Sequence, residues 1–109
     1  MPTTVLESTV TKKTLDALNA IPGVLAKKRH ASNFGQSDLD IYGCDNGRAF
    51  FIEMKRPGEE PSERQKKFMR DWLAAGAVTG VATSPEEALA LLGRVLPVKA
   101  PRKKKTVAA

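Results

Sequence analysis

Between Asp38 and Lys55 the chain alternates apolar and polar residues with period 2, twice, on either side of a polar break. The two runs are Asp38-Leu39-Asp40-Ile41-Tyr42-Gly43 and Ala49-Phe50-Phe51-Ile52-Glu53-Met54-Lys55, separated by Cys44-Asp45-Asn46-Gly47-Arg48. Such alternation marks half-buried strands and Asn-Gly marks a tight turn, so the stretch predicts an antiparallel hairpin. Phe50, Ile52 and Met54 then point to one side of the second strand, and Phe51, Glu53 and Lys55 to the other. On the first strand Asp38 and Asp40 share a face by the same rule. An in-register hairpin brings one of them beside Glu53.

Elsewhere the period changes. Over residues 4–20, Leu6, Val10, Ala17 and Ile21, with Leu15 and Leu18 alongside, form a stripe at helical spacing that Pro22-Gly23 ends. Val24 to His30 reads as a short strand that turns basic at Lys27-Lys28-Arg29-His30, and a polar connector follows to Ser37. After a loop at residues 56–61, Ser62-Glu63-Arg64-Gln65 opens a second helix that runs to about Ala75 and stops at Gly76. Its Gln65, Met69, Trp72 and Gly76 share a face that packs toward the sheet, with Phe68 and Trp72 expected in the core. Arg64, Lys66, Lys67 and Arg70 make the polar side. Residues 77–83 predict another strand, and Ser84-Pro85 starts a last helix through about Leu92 or Val95. A helix between two strands of one sheet makes those strands parallel. The predicted fold is α/β: an αβββαβ core with a four-stranded mixed sheet flanked by helices, plus a C-terminal helix.

Composition narrows the class. A chain of 109 residues is one small domain, and no apolar run approaches the ~20 residues of a membrane span. The start lacks the basic-then-apolar pattern of a signal peptide. Cys44 is the one cysteine and His30 the one histidine, which excludes an internal disulfide and any Cys- or His-rich metal centre. A cytoplasmic setting is expected. The formal charge of +6 is concentrated at the end: Lys99, Arg102, Lys103, Lys104 and Lys105 lie in residues 97–109. Without them, 13 basic residues face 12 acidic ones. The expected division is a domain over 1–96 and a basic, flexible tail over 97–109. Such a tail either raises affinity for nucleic acid or merely solubilises the terminus.

Two carboxylates and a lysine on adjacent strands have a specific chemical use. Carboxylates hold Mg²⁺ or Mn²⁺, hard cations that take oxygen ligands, and a bound ion activates water against a phosphate. A lysine there orients the water or stabilises developing charge. No Gly-rich phosphate loop or nucleophile–base arrangement competes with this reading, and no organic cofactor is expected.

The order Asp38, then Glu53-Met54-Lys55, resembles the PD-(D/E)XK nuclease superfamily, with Ser37-Asp38 where that family usually has Pro-Asp. Gly35-Gln36-Ser37-Asp38-Leu39, Phe51-Ile52-Glu53-Met54-Lys55, Ser62-Glu63-Arg64-Gln65 and Ala75-Gly76 are similar, in order and spacing, to the VRR-NUC branch across roughly residues 5–92. The resemblance implies a restriction-endonuclease-like fold and a metal-dependent DNA endonuclease. It implies Asp38, Glu53, Lys55 and Gln65 as catalytic residues. Asp38, Glu53, the Met54 carbonyl and Glu7 would be ligands of Mg²⁺ or Mn²⁺, with Asp40 able to substitute or assist. Glu7 otherwise reads as favourable charge near a helix N-terminus. Gln65 otherwise reads as a capping-box residue bonding back to Ser62, and the two roles are taken as exclusive for one side chain. Lys27, Lys28, Arg29 and Lys66 would contact DNA phosphates; otherwise they are solvated charges. Stand-alone members resemble Holliday junction resolvases, which implies a homodimer on branched or duplex DNA, in a bacterial or phage-infected cell. Few aromatics, mostly expected in the core, leave no evident platform for single-stranded RNA.

Overall fold

The computed structural model describes residues 3–29 and 39–94, with side chains from residue 9 onward. The elements are α1 (Thr3–Asn19), β1 (Val24–Lys28), β2 (Ile41–Asp45), β3 (Arg48–Met54), α2 (Glu63–Ala74), β4 (Val78–Ala82) and α3 (Pro85–Leu91). They form one four-stranded sheet in the order β1-β2-β3-β4. The β1–β2 and β2–β3 pairs are antiparallel, and β3–β4 is parallel across α2. The α/β fold, the mixed sheet and the C-terminal helix are those the sequence predicts. No described helix is long and apolar enough to cross a membrane.

The hairpin turn is shorter than the polar run suggests. Cys44 and Asp45 belong to β2, and only Asn46 and Gly47 turn, with φ of 52° and 95°. Positive φ at both central residues is what a type I′ turn needs, and Asn-Gly supplies it at low steric cost. The turn places Asp45 opposite Arg48, which pairs Gly43 with Phe50 and Ile41 with Ile52.

That register puts Ile41, Phe50, Ile52 and Met54 on one face, together with Val24, Ala26 and Ala82. Leu18 of α1 and Ala88 and Leu89 of α3 close over them. The buried side of α1 is centred on Thr11, Thr14 and Leu18, so its stripe includes two threonines. Thr14 answers its burial by donating its hydroxyl to the Val10 carbonyl at 2.8 Å, the usual i−4 solution for a helical threonine. At the β1 edge of the sheet, Asn19 donates to the Ala26 carbonyl (3.0 Å) and accepts from the Ala26 N–H (2.8 Å). The amide thus satisfies both backbone groups of Ala26 on the outer edge of β1, an edge that would otherwise invite another strand.

The second face of the sheet carries α2 over β3 and β4. Phe51 meets Phe68 edge-on at 5.3 Å between centroids and Trp72 at 4.6 Å, and Thr79 donates to the Met69 carbonyl. No residue of α2 is buried, and Trp72 remains 41% exposed. The expectation that Phe68 and Trp72 belong to the core is therefore corrected. They form a half-covered aromatic cluster, because α2 covers only half of this face.

Candidate active site at the end of β3

Glu53 comes from the last turn of alternation in β3, on the α2 face, and is only 5% exposed. One step beyond the ladder pair Ile41–Ile52, Asp40 meets it from the residue just before β2. The Asp40 N–H donates to Glu53 Oε1 at 3.3 Å, and the Met54 N–H donates to Asp40 Oδ2 at 3.0 Å. Two carboxylates are thus held against each other by backbone donors from the opposing strand. Lys55 Nζ lies 3.4 Å from Glu53 Oε2, while the Lys55 N–H donates to the Ala82 carbonyl and keeps the backbone in the parallel ladder.

Burial pushes the Glu53 carboxyl above its ordinary pKa, and the charge of Asp40 pushes it further. Lys55 and a hydrogen bond from Gln65 oppose that rise without cancelling it. The site therefore holds an excess of buried negative character, which disfavours ionisation until a further positive charge arrives.

Gln65 reaches Glu53 because of how α2 begins. Ser62 caps the helix, its hydroxyl accepting from the Gln65 N–H at 3.1 Å, and Gln65 Oε1 accepts from the Ser62 N–H at 2.9 Å. With its oxygen so engaged, the amide still has N–H donors free for the Glu53 carboxylate. The cap and a contact with Glu53, taken as exclusive from the sequence, are made by one side chain through its two ends.

The cationic candidates divide by face. Lys27 pairs with Tyr42, and two residues on the Arg29 N–H donates to the Asp40 carbonyl. Both residues therefore lie on the same face as the carboxylates. Lys28 pairs with Ile41 and points to the opposite side of the sheet. Lys66 lies 3.4 Å from Glu63 on the exposed side of α2. Asp38, His30 and the basic residues of 97–109 lie outside the described residues, as does the side chain of Glu7. The described part of α1 packs on the face opposite Glu53.

Among the described residues, no group of three or more His, Cys, Asp or Glu side chains stands together as a metal site. The Asp40–Glu53 pair nonetheless suits a hard divalent cation. Mg²⁺ is commonly held by one or two carboxylates with its remaining positions filled by water and phosphate, and a second positive charge would relieve the raised Glu53 carboxyl. What sequence reasoning left open was which aspartate faces Glu53. Counting outward from Asn46-Gly47 selects Asp40. Comparison of the chain with protein-family models, curated proteins and solved structures finds no match.

Proposed function

We propose that this protein is a Mg²⁺- or Mn²⁺-dependent DNA endonuclease, akin to the VRR-NUC nucleases its motifs resemble. The observation that carries this reading is the convergence of Asp40, Glu53 and Lys55, with Gln65 bonded to Glu53, at one end of β3. A purely structural explanation is weak here. Two adjoining carboxylates, one buried, cost stability unless a cation compensates them.

Glu53 and Asp40 would hold the ion, and the resemblance adds Asp38, Glu7 and the Met54 carbonyl to the ligand set. When bound, a divalent ion polarises the scissile phosphate and lowers the pKa of an attacking water. Lys55 directs the water and places its ammonium beside the charge that gathers on the phosphate oxygens. The water oxygen bonds to phosphorus, the bond to one bridging oxygen breaks, and that oxygen leaves as a hydroxyl with a proton. Gln65 fixes the rotamer of Glu53, and Lys27 and Arg29 grip the backbone on the approach to the site.

One small domain has room for one such site. A two-fold homodimer would offer two for paired nicks in branched DNA, as in Holliday junction resolvases. The test is cleavage of a labelled four-way junction and a matched linear duplex with Mg²⁺, Mn²⁺ or EDTA, alongside Lys55→Ala. Paired cuts in the junction, lost with EDTA and in the variant, are expected. Equal cutting of both DNAs keeps the nuclease and removes junction selectivity. Absence of any metal-dependent product leaves a DNA-binding protein.

A further inference from the structure

On the α2 face the register lays out two neighbouring rows of side chains across the sheet. Arg29, Asp40, Glu53 and Val81 form one, joined one step beyond the antiparallel ladders by backbone donors, and Lys27, Tyr42, Phe51 and Thr79 form the other. The rows are two residues apart along each strand, about 7 Å. The first row contains the carboxylate pair. The second contains aromatic rings and is only partly covered, since Tyr42 is 45% exposed. Between Tyr42, Phe51, Phe68, Leu39 and Arg29 lies an open hollow of about 250 Å³. A second hollow of about 280 Å³ shares Phe68 with it and is otherwise lined by Arg64, Lys67 and Asp71.

We propose that the Tyr42–Phe68 hollow receives an unpaired DNA base, one nucleotide away from the phosphate held at Asp40 and Glu53. This deepens the nuclease reading and rests on it. The ring faces supply stacking, which is tolerant of base identity, while a base still paired inside a duplex cannot enter a hollow walled by side chains. Lys27 and Arg29 flank the aromatic wall along β1, so the charge beside the hollow complements a phosphodiester. Both cations stand at the β1 end of the two rows, beside the hollow and the acidic pair alike, a placement that suits a nucleotide with its phosphate better than an apolar protein segment or a lipid tail. The substrate class follows: DNA with an unstacked nucleotide at the cut, as at junction arms, flaps and bulges.

The experiment measures binding of the full chain in EDTA to two oligonucleotide duplexes of the same sequence. One carries 2-aminopurine as a single bulged nucleotide, and the other carries it fully paired. The wild type is expected to bind the bulged duplex more tightly and to change the fluorescence of its bulged base. Tyr42→Ala is expected to weaken the bulged complex about tenfold, the scale of one lost base–aromatic stack, and to leave the paired complex unchanged. Tyr42→Phe keeps the ring and is expected to match the wild type. Equal affinity for the two duplexes, or equal losses on both in Tyr42→Ala, overturns the pocket. Metal-dependent cleavage by the wild type is read separately. Cleavage without bulge preference sinks the pocket alone, whereas bulge preference without cleavage supports the pocket and sinks the nuclease.

Discussion

Asp40 and Glu53 face each other one residue past the β2–β3 ladder, and each carboxylate accepts a backbone N–H from the other's strand. Asp40 offers its own N–H to Glu53, and Met54 offers its N–H to Asp40. The crossed bonds fix both carboxylates without neutralising them. Asp40→Asn keeps an acceptor for the Met54 N–H but removes the charge that helps push Glu53 up. The expected outcome is a fall in the Glu53 pKa, followed by carboxyl NMR shifts across a pH titration. In the same variant, cleavage falls by about 100-fold, as when a charge-stabilising group is lost from a site of this kind.

Glu53 makes stability and activity pull in opposite directions. Its pKa is raised in the folded protein, so between the unfolded value and the raised one the native state binds more protons than the unfolded chain. Its contribution is therefore favourable at low pH and is lost as pH climbs through that window. Glu53→Gln removes this penalty, and its thermal midpoint at pH 7 is expected to exceed that of the wild type while cleavage disappears. Below pH 4 the two midpoints should converge. Mg²⁺ or Mn²⁺ is expected to raise the midpoint of the wild type and leave that of Glu53→Gln in place. A variant that melts below the wild type at pH 7 would contradict the account.

Asp45 has the opposite sign. Arg94 donates to both of its oxygens, at 2.7 and 3.2 Å, and hydrogen bonds from Arg94 and then Asn46 hold its carboxyl below the ordinary range. Its contribution is present above the unfolded pKa and fades as pH falls through the lowered folded value. Asp45→Asn is therefore expected to lower the melting midpoint at pH 7 and to approach the wild type in acid. Thermal melts from pH 2 to 7 measure both residues, and their slopes should differ in sign.

Much of the fold was legible because its strands are amphipathic and its turns carry marked residues. Asn46-Gly47 located the hairpin, Ser62 and Ser84 located two helix starts, and Gly76, with φ of 105°, located a helix end. The register was not read from the sequence, because the five-residue polar run hid how short the turn is; once Asn46-Gly47 alone turns, 45 pairs with 48 and 40 comes opposite 53. Other features were hidden for physical reasons. The burial of Thr11 and Thr14 breaks the expected apolar stripe, because a threonine hydroxyl can be satisfied by its own helix. Phe68 and Trp72 look like core residues at helical spacing, and only the arrangement of α2 over half a sheet face leaves Phe68 half-buried and Trp72 exposed. Gln65 seemed to face a choice because a side chain was counted as one group, whereas an amide has an acceptor end and a donor end.

Gln65 therefore offers a separation of roles by substitution. Gln65→Ala removes both ends at once, and is expected to cost about 1 kcal/mol of stability through the lost cap as well as to lower cleavage. Gln65→Glu preserves the capping acceptor, since glutamate serves at the third position of a capping box, but places a carboxylate where Glu53 now receives a donor. That variant should melt close to the wild type and cleave poorly, with its pH–rate profile displaced upward because a like charge raises the Glu53 pKa further. Denaturant unfolding gives the first quantity and single-turnover cleavage from pH 6 to 9 the second. If Gln65→Glu cleaves like the wild type, the bond to Glu53 has no part in catalysis, and Gln65 serves the helix alone.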